Sequence, residues 1–275
     1  RKRFEHKDYK LTEDCMKKAG ELGLLGISVP VEYGGMGMSF NTSILICDRI
    51  SGANGSFSTA FGAHTGIGTL PILLYGNQQQ KERYLPKLSS GEWIGCYCLT
   101  EPGAGSDANS GKTKATFSND RKHYLLNGQK MWITNAGFAH IFIVFAKIED
   151  DKDLSAFIVE KDFGGITLGD EEKKLGIKGS STRQVFFNEC PVPLENLLGK
   201  RQEGFKIALN ILNSGRIKLA AGSIGGIKFA LNKSITYSSE RIQFDKSINK
   251  FSAIQHKIGE MVRLIFASES AIYRT

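Results

Sequence analysis

The sequence lacks long apolar runs, internal repeats and low-complexity tracts. No hydrophobic stretch approaches the roughly 20 residues that a transmembrane helix needs. The first residues, RKRFEHKDYK, are basic, but no apolar stretch follows them as it would in a secretory signal. These absences exclude a helical membrane protein and a repeat protein. With 41% hydrophobic and 23% charged residues, the composition is that of an ordinary globular chain.

Metal-ligand spacing is also missing. The cysteines are odd in number and follow no zinc pattern: Cys15, Cys47, Cys96, Cys98 and Cys190. We expect reduced thiols in or near the core, and hence a reducing compartment, either the bacterial cytosol or the mitochondrial matrix. His64 has no cysteine or carboxylate at ligand or relay spacing, so we interpret it as a core histidine whose ring nitrogens are satisfied. No metal site is predicted.

Hydrophobic periodicity divides the chain into helical, strand-like and helical parts. Helices are predicted at 9–25, 41–51, 57–75 and 77–88, with Asn77 as a possible N-cap of the last. After Gly91 the period becomes strand-like, and strands are predicted at 93–99, 112–118, 122–128, 130–134, 140–148, 154–160 and 182–188. Asn127-Gly128 is typical of a hairpin turn between two of them.

The helical pattern returns beyond Gly199. Three glycines in it would let a neighbouring helix approach closely: Gly222, Gly225 and Gly226. A second helix begins near Ala253 and stops in mid-pattern at Thr275, so we expect a truncated chain. The sequence therefore predicts an α+β multidomain fold. An N-terminal helical domain spans 1–91, a middle β-barrel or sandwich domain 92–198, and the first helices of a C-terminal bundle 199–275.

A glycine-rich polar turn follows the first predicted strand. The stretch 96–135 reads CYCLTEPGAGSDANSGKTKATFSNDRKHYLLNGQKMWITN. Pro102 ends regular structure, and Gly103 and Gly105 allow backbone amides to approach a ligand. The dinucleotide fingerprint is excluded because a strand, and not a helix, is predicted after the turn. On these residues alone, a ligand site and an ordinary hairpin loop remain equal alternatives.

The segments YCLTEPGAGSD and NGQKMWITN together resemble the flavin-binding core of the acyl-CoA dehydrogenase family. Later segments resemble that family in the same order: KLGIK at 174–178, ENLLG at 195–199, GFK at 204–206 and RIQF at 241–244. The similarity covers nearly the whole chain, and the very-long-chain branch is nearest. The resemblance implies the fold given above, with the flavin and acyl-CoA contacts in the middle domain and FAD as the cofactor.

Residue roles follow from the resemblance by matched position. The flavin ring would contact Tyr97, Leu99, Thr100, Gly105, Ser106, Trp132 and Thr134. Trp132 would form the wall against the ring, and Thr134 would face its N5 edge. Arg241 and Phe244 match positions that reach the adenine and pyrophosphate half of FAD from a neighbouring subunit, which implies a homodimer or homotetramer. The acyl-CoA channel would involve Ser106, Asn213, Gly215 and Arg216.

The implied reaction is the α,β-dehydrogenation of a fatty acyl-CoA thioester to the trans-2-enoyl-CoA, with electrons passed to an electron-transfer flavoprotein. Some relatives carry their catalytic glutamate at the position of Gly215, and glycine cannot abstract a proton. Glu101 matches a structural position. No residue of this chain is therefore assigned as the catalytic base. The alternatives are an acyl-CoA oxidase on the same fold and a non-catalytic flavin- or acyl-CoA-binding fragment.

The formal net charge of +8 suits an anionic partner such as the phosphate groups of coenzyme A. Lysines are, however, scattered among 28 acidic residues, which is typical of a solvated basic surface. No cluster of lysine and arginine with interleaved aromatic residues is present, so we expect no nucleic-acid partner. The charge also permits contact with an acidic membrane, but no segment supports it.

Overall fold

The computed structural model describes residues 2–274. The helices of the first part are α1 (Lys2–Glu5), α2 (Tyr9–Glu21), α3 (Phe40–Ala53), α4 (Gly55–Gly62), α5 (Leu70–Tyr75) and α6 (Gln78–Ser90). Asn77 caps α6 as predicted, because its side chain accepts from the Gln80 amide while the Gln80 side chain accepts from the Asn77 amide.

The segment 57–75 is helical as predicted, but it is not one continuous α-helix. The chain forms α4, a π-helical segment (Ala63–Gly68) and then α5. Inside the π-helical segment His64 is fully buried, and its Nε2 donates to the Leu88 carbonyl at 2.9 Å while its Nδ1 accepts from the Gly95 amide at 3.0 Å. Burial lowers the pKa of His64 to about 4. These contacts confirm a satisfied core histidine.

The middle part is a mixed sheet. Its strands are β1 (Gly95–Cys98), β2 (Lys114–Phe117), β3 (His123–Thr134), β4 (Ile141–Ile148), β5 (Ser155–Glu160), β6 (Ile166–Glu171), β7 (Thr182–Pro193) and β8 (Leu197–Leu198). The order is β6-β7-β3-β2-β4-β5-β8, and β1 also pairs with β4. One end of β4 pairs in parallel with β1 and the other end in parallel with β2. The sheet thus folds around β4.

The predicted hairpin at Asn127-Gly128 is wrong, because β3 runs without interruption through both residues. Gly128 is needed there for close packing. A Cβ at this position would lie 2.5 Å from the Thr113 hydroxyl oxygen and 2.8 Å from its Cα. The pairing of β3 with β7 shifts register between Leu126 and Gly128. The glycine that suggested a turn is instead required because β3 packs closely against Thr113, just before β2.

Two apolar cores lie on opposite faces of β1 and β4. Cys96, Cys98, Phe142 and Val144 belong to the core enclosed by the sheet. The alternate residues, which include Tyr97, face a second core shared with α5, α6 and the later helices. All five cysteines are free and none is exposed, which confirms the prediction of core or near-core thiols.

The chain returns to helix in α7 (Gly204–Glu240) and α8 (Ser252–Arg274), which are separated by the short hairpin β9 (Ile242–Gln243) and β10 (Lys246–Ser247). At Gly225, α7 crosses α3 so closely that an added Cβ would lie 1.9 Å from the Asp48 carbonyl oxygen. A Cβ at Gly226 would meet no atom within 4 Å, so the close approach predicted there is wrong.

The order of a helical part, a sheet and a second helical part along the chain confirms the predicted fold class. Within residues 2–274, no helix has both the length and the apolar character to cross a membrane.

Candidate functional site

A cleft of about 380 Å³ opens between the end of β1, the turn after it, the end of β3 and one face of α7. This volume lies within the range of small-molecule sites, about 300–1,000 Å³. The residues that line it are Ile67, Tyr97, Leu99, Thr100, Gly105, Ser106, Ala108, Trp132, Ile133, Thr134, Phe205, Leu209, Leu212 and Arg216. The cleft therefore brings together the predicted ring contacts on the sheet and Arg216 on the helix.

The turn between β1 and β2 forms one side of the cleft. Glu101 and Ala104 exchange two backbone hydrogen bonds, each 3.1 Å long, which close the turn. At Gly103 and Gly105 an added Cβ would meet no atom within 4 Å, so the protein itself leaves the space over the turn free. A flat ligand can therefore approach the backbone at this point.

Trp132 stands opposite the turn with an unusual backbone conformation. Its φ of +59° is left-handed, and the pairing of β3 with β7 shifts register between Lys130 and Ile133. The indole is 61% exposed, whereas the neighbouring Ile133 is buried. The Met131 amide donates to the Thr100 carbonyl at 2.9 Å and fastens β3 to the turn. The bulge thus presents a large aromatic face to the cleft.

Unused hydroxyl groups surround this aromatic face. Within the described residues, no side-chain hydrogen bond involves the hydroxyls of Thr100, Ser106 or Thr134, although all three line the cleft. Together with the open space at Gly105 and the exposed indole, they form a donor and acceptor set that suits a flat heteroaromatic ring. The residues present therefore fit an isoalloxazine ring.

Tyr97 anchors the base of the cleft. Its hydroxyl donates to the Ala208 carbonyl in α7 at 3.3 Å, and its ring centroid lies 4.9 Å from that of Phe145. Burial raises the pKa of Tyr97, so its hydroxyl stays neutral. Tyr97 thus joins β1 to α7 and fixes the distance between the two sides of the cleft.

Three apolar residues on α7 form the other side of the cleft, and the sequence did not identify them as site residues. Phe205, Leu209 and Leu212 lie on the face that also carries Arg216. Their three- and four-residue spacing was visible, but an apolar helix face usually packs into a core. Ile67, Ala108 and Ile133 also line the cleft, and no sequence signal distinguishes them from core residues.

Four predicted site residues lie outside the cleft lining. The Asn213 side chain accepts a hydrogen bond from Arg216, and Gly215 packs toward Ile67. Arg241 and Phe244 lie at the β9–β10 hairpin, where Phe244 is 87% exposed. Their assigned contacts with a neighbouring subunit stay predictions. Among residues 2–274, no group of three or more histidine, cysteine, aspartate or glutamate side chains forms a metal site.

Three family models match the chain in succession. They are the acyl-CoA dehydrogenase N-terminal domain over residues 1–92, the middle domain over 96–190 and the C-terminal domain over 202–275. The resemblance found in the sequence is confirmed.

Individual relatives agree with these matches. The chain is 52% identical to a probable acyl-CoA dehydrogenase of Bacillus subtilis, over 99% of this chain and 46% of the relative. It is 43% identical to the rat mitochondrial very long-chain specific acyl-CoA dehydrogenase, over 96% of this chain and 42% of the relative. A second Bacillus subtilis acyl-CoA dehydrogenase is 42% identical, over 94% of this chain and 68% of the relative.

Among solved structures, an acyl-CoA dehydrogenase from Bacillus anthracis in complex with FAD superposes with a TM-score of 0.96 at 48% identity. The match covers 99% of this chain and 46% of that one. The chain thus spans about half the length of the first relatives that it matches.

Proposed function

The chain belongs to the acyl-CoA dehydrogenase family, and from this premise we propose that its cleft binds the isoalloxazine ring of FAD for the α,β-dehydrogenation of a fatty acyl-CoA. The product is the trans-2-enoyl-CoA, and an electron-transfer flavoprotein takes the electrons. The observation that carries the proposal is the exposed indole of Trp132 facing an open turn with unused hydroxyl groups.

The residues of this chain hold and orient the reactants. FAD, when bound, would supply the acceptor for the hydride that leaves the β-carbon. Trp132 covers one face of the ring site, and Thr134 and Thr100 offer hydroxyl groups at its edge. The apolar face of α7 excludes water from the acyl chain, while the guanidinium of Arg216 attracts the polar end of the thioester ligand.

The base that removes the α proton is not among the lining residues. Within the described cleft lining there is no carboxylate and no histidine, and Gly215 has no side chain to act as a base. This observation favours, as a second candidate, a non-catalytic flavin- or acyl-CoA-binding module. Anaerobic addition of a fatty acyl-CoA to the FAD-loaded protein separates the two, because only the enzyme bleaches the visible flavin absorbance.

The electron acceptor and assembly are also proposals. Because a dehydrogenase passes its electrons to a flavoprotein and not to oxygen, admission of air after anaerobic reduction should produce peroxide slowly. Rapid peroxide formation would identify an acyl-CoA oxidase.

We propose a homodimer or homotetramer in which Arg241 and Phe244 reach the FAD of a neighbouring subunit. Bacterial and mitochondrial relatives support action in the bacterial cytoplasm or the mitochondrial matrix.

The ring site is tested through the two tryptophans. Trp132→Leu should weaken FAD binding about 2- to 10-fold, because an aromatic contact contributes about 0.5–1.5 kcal/mol. Trp93→Leu is the matched control, since Trp93 packs against Tyr84 and beneath Lys87 and does not line the cleft. Isothermal titration calorimetry measures both affinities. Equal affinity in the two variants would reject the ring site.

A further inference from the structure

Beneath the cleft lies a deeply buried ion pair that the proposed chemistry does not use. The Lys130 Nζ and Glu101 Oε1 atoms are 2.7 Å apart, and the two side chains are 0% and 7% exposed. Charges buried in this way cost free energy unless hydrogen bonds satisfy them fully. The hydrogen-bond partners of Lys130 and Glu101 therefore indicate which segments the ion pair holds together.

Every charged atom of the pair has a defined partner. The Lys130 ammonium also donates to the Phe145 carbonyl at 2.7 Å and to the Leu99 carbonyl at 3.2 Å. The Glu101 carboxylate accepts from the Thr113 hydroxyl at 2.6 Å and amide at 3.1 Å, and from the Lys112 amide at 2.6 Å. The pair thus connects the end of β1, the start of β2, β3 and β4.

The protonation states follow from these contacts. Burial alone would raise the pKa of Glu101, but Lys130, Thr113 and the Lys112 amide outweigh it and hold that pKa below its usual value. Burial lowers the pKa of Lys130, while three acceptors stabilise its ammonium. The carboxylate is therefore ionised beside a fully coordinated lysine.

Both residues of the ion pair are close in sequence to residues that line the cleft. Glu101 follows Thr100 directly, and Lys130 precedes Trp132 by two residues on the bulged end of β3. The left-handed backbone at Trp132 is costly for a bulky residue and persists only when its surroundings fix it. The ion pair fixes the chain just before the bulge and on both sides of the turn.

We propose that Glu101 and Lys130 are positioning residues, which hold the Trp132 indole opposite the turn, across the cleft, and set the electrostatic potential at the ring site. The second half of this inference rests on the proposed binding of FAD; the first half concerns the protein alone. Neither residue lines the cleft, so each acts through Trp132 and Thr100 and not by touching a ligand.

The test uses Glu101→Gln, which keeps the shape of the side chain but removes its charge. Asp48→Asn is the matched control, because Asp48 is equally buried and pairs with a lysine, Lys228, at 2.8 Å between α3 and α7. Both variants should lower the melting temperature. Only Glu101→Gln should weaken FAD binding, by about tenfold, and raise the flavin reduction potential, since it leaves the Lys130 charge uncompensated. Lys130→Met should shift the potential in the opposite direction.

A measurement without cofactor separates this inference from the proposed function. In a Trp93→Phe background Trp132 is the remaining tryptophan, and Glu101→Gln should change its emission and its quenching by acrylamide. If the unaltered protein does not bind FAD, the proposed function fails while this readout still judges the positioning role. An unchanged Trp132 signal overturns that role. Unchanged potential and FAD affinity in a folded Glu101→Gln protein overturn the electrostatic role.

Discussion

Replacing Gly225 with alanine should destabilise the protein, whereas the same change at the neighbouring Gly226 should stabilise it. Both residues lie in the interior of α7 and would gain about 0.8–1.0 kcal/mol from the higher helix propensity of alanine. Gly226 is exposed and its added Cβ would meet no atom within 4 Å, so it should keep this gain.

The cost at Gly225 comes from the crossing with α3. Its added Cβ would lie 1.9 Å from the Asp48 carbonyl oxygen and 3.0 Å from the Gly52 amide nitrogen. Both are backbone atoms that cannot rotate away, so the two helices must separate. Overpacking of this kind costs about 1–3 kcal/mol. The propensity gain is common to both variants, and the difference in their unfolding free energies therefore equals this steric cost.

Thermal unfolding followed by circular dichroism measures the difference. For a chain of this size 1 kcal/mol corresponds to roughly 2–4 °C, so Gly225→Ala should melt about 2–12 °C below Gly226→Ala. Equal helix content at low temperature serves as the control for intact folding. If Gly225→Ala melted as high as Gly226→Ala, the close crossing of α3 and α7 would be refuted.

Three further outcomes are expected. Lys218→Met should raise the free energy of unfolding by about 1–3 kcal/mol in denaturant titrations, because the Lys218 side chain is buried and its burial lowers the pKa of the ammonium; no gain would contradict this. The buried His64 ring binds a proton less well in the folded protein than in the unfolded chain, so its contribution to stability should be fully present above pH 6.5. The free energy of unfolding should then fall by about 3 kcal/mol as the pH drops to about 4. His64→Gln should flatten this pH dependence, and an unchanged slope would show that His64 does not cause it. Lys228→Met should accelerate amide hydrogen exchange in α8, because Lys228 bonds Asp48 in α3 and Glu269 in α8; exchange at the unaltered rate would show that this contact does not hold α8.

Much of the sheet was predictable because its strands are apolar and short. The strands around β1, β4 and β5 lie within the predicted ranges, and nearly all of their residues are buried. β6 was missed because it is an edge strand of mixed polarity, with no buried residue to give it a period of two. β8 was also missed, because a strand of two residues is too short to show a periodic pattern.

The errors arose where tertiary contacts outweigh local preference. Asn127-Gly128 has the composition of a turn, but Thr113 packs so closely that only glycine fits in the strand. The π-helical segment turns His64 toward Gly95, a contact between residues 31 apart that no local pattern contains. The helical side of the cleft was likewise hidden, because an apolar face does not state whether it meets a core or a ligand.

The bulge at the end of β3 divides one strand into two kinds of surface. In a regular strand Lys130 and Trp132 would point the same way, yet the first is sealed inside the protein and the second stands largely in solvent. The stretch of β3 up to Lys130 therefore stabilises the fold, whereas the stretch at Trp132 is available to bind a ligand. Substitutions on the outward stretch can alter what the protein binds while the inward stretch continues to stabilise the fold.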